Sequence, residues 1–185
     1  MKTMAIAGLM AALLTAQQER QEKKEFKAPQ PQKQHEWLKQ LVGEWDADVQ
    51  LYFGEGKPET SKATESGRFI GDFWAVMENR GEFQGKPFVG VFTIGYDTDQ
   101  KKFVGTWFDN MSHYLWRYTG DVDSAGKILT LETEGPCPSE GGRIVKVRET
   151  IEIKNPEHKV LTSMREKDGK WVKNLVINYK KRASE

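Results

Sequence analysis

The chain has 185 residues, enough for one domain with a short extension, and carries 28 Lys and Arg against 27 Asp and Glu, a net charge of +1. That balance excludes the basic face with which a nucleic-acid binder displaces counterions from phosphates. The basic run Lys180-Lys181-Arg182 reads as a solvated strand end, and the single cysteine, Cys137, excludes an intramolecular disulfide.

Lys2 precedes an apolar run over 4–14 that ends at Thr15-Ala16, the pattern of a secretory signal peptide spanning 1–16. The run is too short to span a bilayer, which takes about 20 apolar residues, and no cysteine follows to carry a lipid anchor. The expected location is therefore periplasmic or secreted. Residues 17–32 are polar, charged and proline-bearing, and read as a disordered linker. The folded domain is expected over 33–185.

That domain opens with a short helix over 33–42. Trp37, Leu38, Leu41 and Val42 make one apolar stripe, and Gly43 ends it. Ten short segments rich in aromatic and β-branched residues follow, at 45–53, 62–70, 73–83, 88–96, 102–109, 113–122, 127–134, 144–153, 159–166 and 171–181. The breaks carry turn residues: Gly71-Asp72, Gln84-Gly85, Asp97-Thr98-Asp99, Asp123 to Gly126, Asn155-Pro156 and Asp168-Gly169. The longest loop is expected at 135–142, where Cys137 sits between Pro136 and Pro138 as a thiol with no base near it in sequence.

Short connections leave no room for crossover helices, so the strands must pair antiparallel. Nor is there a long return connection for a Greek key. The predicted fold is all-β, an antiparallel up-and-down meander barrel of about ten strands with a short N-terminal plug helix. Val145, Val147, Ile151 and Ile153 alternate with Lys146, Arg148, Thr150 and Glu152, so one face of that strand is apolar. Residues 73–77 are apolar on both faces and leave the parity there open.

The helix leading into Gly43-Glu44-Trp45 resembles the opening of the calycin superfamily, which includes lipocalins, fatty-acid-binding proteins and nitrobindin-like barrels. A more specific resemblance is to an uncharacterised bacterial family, domain of unknown function 1579. It is carried by Gly81-Glu82 with Gly85 and Pro87, by Gly90 with Gly95-Tyr96-Asp97, and by Lys102-Phe103. Trp107 to Met111, Leu129-Thr130-Leu131 and a last strand ending at Tyr179 complete it. The resemblance implies a barrel closed by Trp45, Tyr179 and a basic residue covering the Trp. The family commonly ends Tyr-x-Arg, whereas Lys181 stands at that position here and Arg182 follows on the other face.

No catalytic constellation or metal site is read from the chain. His35, His113 and His158 have no ligand spacing. Nitrobindin-like barrels bind haem through a histidine of the closing strand, and 171–181 contains none, so no cofactor is expected, haem included. The expected ligand site groups Trp74, Glu78 and Arg80 on one strand, Trp107 and Asp109 on another, and the ladder Tyr114, Trp116 and Tyr118 on a third. Trp74 and Val76 carry the inward assignment of Glu78 and Arg80. The functional expectation is an exported carrier or sensor for a small apolar or amphipathic molecule. One alternative is an enzyme with Glu78 or Asp109 as general base; another is a structural barrel with a filled interior. Oligomeric state and ligand identity are left open by the sequence.

Overall fold

A computed structural model describes residues 28–54 and 56–183. The expected signal peptide, and the expected linker as far as residue 27, lie outside the described residues. Short turns pair each strand with its sequence neighbours, and the pairing of the first strand with the last closes the barrel. The strands are β1 (Gly43–Leu51), β2 (Glu59–Ile70), β3 (Trp74–Phe83), β4 (Lys86–Asp97), β5 (Lys102–Asp109), β6 (Trp116–Val122), β7 (Ile128–Cys137), β8 (Arg143–Asn155), β9 (His158–Lys167) and β10 (Lys170–Lys181). Each pairs antiparallel with the next, and β1 closes onto β10 with Trp45 opposite Lys181 and Ala47 opposite Tyr179. The expected meander barrel is the architecture found, and closure removes the sheet edges that could template aggregation.

One end is capped by α1 (Lys33–Leu38). The Gln32 amide donates to Nδ1 of His35 at 2.9 Å, which satisfies a backbone donor at the helix start. After Leu38 the chain tightens, with Lys39 donating to Glu36, Gln40 to Trp37 and Leu41 to Leu38. These three-residue bonds turn the chain toward β1, so the helix is shorter than the 33–42 stripe suggested. The same turn drives Leu38 and Leu41 into the barrel, where they join Ala75, Ile94, Phe103, Leu129 and Leu131 in the main core. Nε1 of Trp37 donates to the Gly126 carbonyl at 2.8 Å and ties the helix to the β6–β7 turn.

Other boundaries also differ from the sequence reading. β6 starts at Trp116, because 110–115 turn at the open end. β7 continues through Gly135 and Pro136, which pair with Val145 and Ile144, as far as Cys137. The expected loop 135–142 therefore shrinks to 138–142, and Cys137 is a buried strand residue packed with Val145 and Val147.

Candidate functional site

Because antiparallel partners share a face, the register fixes which side chains enter the barrel. The inward rows include Glu65 opposite Asn79, Phe92 opposite Trp107, Trp107 opposite Trp116, and Glu149 opposite Ser163. They bound a cavity of about 300 Å³, walled by Phe88, Phe92, Trp107, Trp116 and Tyr118 among others. Glycines make room for the two tryptophans. A Cβ at Gly90 would lie 2.3 Å from the Trp107 ring, and one at Gly135 would lie 2.4 Å from the Trp116 ring. Each indole therefore occupies space over bare backbone of the neighbouring strand that a side chain there would take.

Toward the helix-capped end the wall is polar and internally matched. Nζ of Lys159 donates to Oε1 of Glu65 at 2.6 Å and to the Leu41 carbonyl at 2.6 Å. Nδ2 of Asn79 donates to the other Glu65 oxygen at 3.2 Å, and the Tyr179 hydroxyl reaches Oδ1 of Asn79 at 3.5 Å. Burial lowers the pKa of Lys159, and the Glu65 carboxylate opposes that shift. Trp45 lies beside this group with the ammoniums of Lys159 and Lys181 at 4.3 and 5.4 Å from its ring. Arg182 instead pairs with Asp46 at 2.7 Å. Lys181 thus holds the covering position, and the buried Lys159 covers the same ring more closely. The Trp45 N–H has no hydrogen-bond partner among the described residues.

Midway along the wall Glu149 has no such partner among the described residues. It occupies the inward parity of β8 between Val147 and Ile151. The Tyr118 hydroxyl donates to it at 3.3 Å, and Ser163 donates from β9. Burial raises its carboxyl from 4.5 to about 7, and the two hydroxyl bonds only partly offset that cost. The phenols of Tyr118 and Tyr179 are pushed well above 10, first by burial and then by nearby carboxylates, Glu149 among them. Nearer the open end, Oδ2 of Asp109 accepts from Nε1 of Trp107 at 2.8 Å and its Oδ1 from the Met111 amide at 2.8 Å. These bonds orient both the carboxylate and the indole.

The structure thus brings Trp107, Asp109, Trp116 and Tyr118 together on the cavity wall. Tyr114 lies outside the cavity, in the 110–115 turn, edge-on to Trp116 with its hydroxyl on the Glu134 carbonyl at 3.0 Å. The other three expected residues need correction. Trp74, Glu78 and Arg80 face outward: Trp74 is 44% exposed, and Nε of Arg80 meets Oε1 of Glu78 at 2.5 Å on the surface. The inward residues of β3 are Ala75, Met77 and Asn79. Trp74 is accommodated outside because Gly95, its pairing partner, offers a bare patch of backbone; a Cβ there would lie 2.6 Å from the indole. Glu65, Asn79, Glu149, Lys159 and Ser163 were missed. For Asn79 and Glu149 the signal was strand parity shared with buried Met77 and with buried Val147 and Ile151; Glu65, Lys159 and Ser163 have no such neighbours. The lining residues include no histidine, so the wall offers no imidazole to a haem iron. Among the described residues no cluster of three His, Cys, Asp or Glu could hold a metal ion.

Fold and interior together define a closed antiparallel barrel of the calycin-like kind, with a single helix over one end. The chain belongs to the family described as "Protein of unknown function (DUF1579)", whose model matches residues 30–181. No curated protein matches it. Among solved structures it is similar to Rv2717c from M. tuberculosis, with a TM-score of 0.61 at 11% identity, over 83% of this chain and 100% of that one. It is also similar to the S-type phycobiliprotein lyase CPES from Guillardia theta, with a TM-score of 0.56 at 14% identity, over 85% and 100%. At these identities the likeness is one of fold. No helix among the described residues is long and apolar enough to cross a membrane.

Proposed function

We propose that this protein is an exported small-molecule-binding barrel, a carrier or sensor whose ligand is partly apolar and lies in the interior cavity. The observation that carries the reading is an interior of about 300 Å³ faced by Trp107, Trp116, Phe92 and Tyr118 with a few polar groups converging on it. Small-molecule sites have this character, and such volumes begin near 300 Å³. A barrel serving only as a scaffold would fill that space with side chains. Export rests on the basic and apolar pattern of 1–16. Titration of tryptophan fluorescence with lipid, haem and small aromatic pools tests the binding claim. A saturable response lost in Trp107→Ala supports it, and no saturable response to any pool overturns it. Sequencing the N-terminus of the expressed protein tests export, with cleavage after Ala16 expected.

A second reading, an enzyme using the same cavity, is favoured by one group. A carboxyl titrating at about 7 is poised to act as a general base near neutrality. Glu149 takes that role in place of Glu78, which faces solvent. Turnover abolished in Glu149→Gln with ligand binding retained would establish it.

A further inference from the structure

We propose that the cavity selects a small organic cation, a compact apolar group carrying an ammonium whose charge sits between Asp109 and Glu149. The inference rests on the binding-barrel reading and assigns its ligand class.

The charges on the wall lead to it. The lining residues include the carboxylates Glu65, Asp109 and Glu149, and the cation among them is Lys159. Lys159 is already committed to Glu65 and to the Leu41 carbonyl, with both side chains of the ion pair buried. The donors on Asp109 are an indole N–H and a backbone amide, and those on Glu149 are hydroxyls. All four are neutral, so among the described residues no cation compensates either carboxylate. An anionic ligand would meet this field with no cation to receive it, whereas a cation would complete it. The rings of Trp107, Trp116, Phe88 and Phe92 on the same wall supply the second half of a cation site, since aromatic rings attract a desolvated ammonium.

Glu149 makes the selection depend on pH. It is faced by Tyr118 from β6, Ser163 from β9 and Tyr179 from β10, with Asp109 of β5 above and the Glu65–Lys159 pair of β2 and β9 below. Arg165, also on β9, is turned to Glu140 at 2.6 Å. In the empty cavity burial keeps the Glu149 carboxyl near half protonation at neutral pH. An arriving cation favours the carboxylate and expels that proton, so affinity must fall as the pH drops below about 7.

Three probes of nearly one shape separate the possibilities: benzyltrimethylammonium, its uncharged carbon isostere neopentylbenzene, and phenylacetate. The quaternary ammonium does not titrate, so any pH effect belongs to the protein. Tryptophan fluorescence titrations of the whole chain at pH 6 and pH 8 should show the ammonium binding tightest at pH 8. Its affinity at pH 6 should be lower by about tenfold, the factor expected for one carboxyl titrating near neutrality. Glu149→Gln, folded by circular dichroism, should bind the ammonium weakly and equally at both pH values. Asp109→Asn should weaken it at both while keeping the pH step, a second handle should the Glu149 variant misfold. Phenylacetate or neopentylbenzene binding as tightly as the ammonium overturns cation selectivity and leaves the cavity reading standing. An ammonium affinity that ignores both pH and Glu149→Gln overturns the assignment of Glu149. Silence from all three probes overturns this proposal, and silence from the lipid, haem and aromatic pools as well overturns the cavity reading with it.

Discussion

At the helix-capped end of the interior, Glu65 and Lys159 meet at 2.6 Å and share out their remaining bonds with Asn79 and the Leu41 carbonyl. Midway along the same wall, Glu149 meets only hydroxyls and holds its proton up to about 7. Both regions place carboxylates on the interior wall, yet one is electrically complete and the other is not. A complete buried network fixes packing and has nothing left to offer a ligand. An incomplete one beside open volume and indole rings is where a ligand has something to gain. The two regions should therefore respond differently to the same class of mutation.

The largest effect is expected at the complete end. Lys159→Met strands a buried Glu65 carboxylate, and removing one member of such a pair costs about 3–5 kcal/mol. Urea unfolding should register that loss. Adding Glu65→Leu should recover most of it, because two apolar groups leave no uncompensated charge. If Lys159→Met unfolds like the wild type, Glu65 and Lys159 do not form a buried pair at that end.

At Glu149 the sign reverses. Its folded pKa of about 7 lies above the ordinary 4.5, so the folded chain holds a proton that the unfolded chain has lost between those values. The contribution is fully present below pH 4.5 and disappears as pH rises through about 7, a change of about 3 kcal/mol. Glu149→Gln should therefore remove this pH dependence and be more stable than the wild type at pH 8. Unfolding curves at pH 5, 6, 7 and 8 check it; a wild type whose stability rises steadily over that range would contradict the burial of Glu149. Stability lost at high pH in the empty protein is the counterpart of cation affinity gained there.

The two regions were also unequally legible. The meander could be read because every connection is a short turn, so neighbours in sequence become neighbours in the sheet. Trp107, Asp109, Trp116 and Tyr118 could be placed because adjacent strands put large aromatics on one parity. Glu149 was hidden because polar residues at strand spacing read as solvent-facing, although Val147 and Ile151 on either side marked its parity as inward. Glu65 and Lys159 form a contact 94 residues apart, which no local pattern encodes. Trp74 misled for a physical reason: its bulk suggested burial, but the strand's parity puts Ala75 inward, and the indole rests outside on Gly95.

Gly90 and Gly95 turn that inside–outside contrast into a matched pair. An added Cβ at Gly90 collides with Trp107 inside the cavity, where overpacking costs about 1–3 kcal/mol and displaces a ring that faces the ligand. Gly95→Ala collides with Trp74, which is 44% exposed and free to swing toward water, so its cost should be under about 1 kcal/mol. Ligand affinity should fall in Gly90→Ala and hold in Gly95→Ala. The smallest effect belongs to the surface pair on the same outer face. Glu78 and Arg80 keep 43% and 63% of their side chains exposed, and a pair so solvated couples by about 0–1 kcal/mol. A double-mutant cycle with Glu78→Gln and Arg80→Gln should return a coupling in that range and leave ligand affinity unchanged. Affinity lost in either variant would mean that β3 presents its other face to the ligand, and the inward rows drawn from Met77 and Asn79 would have to be redrawn.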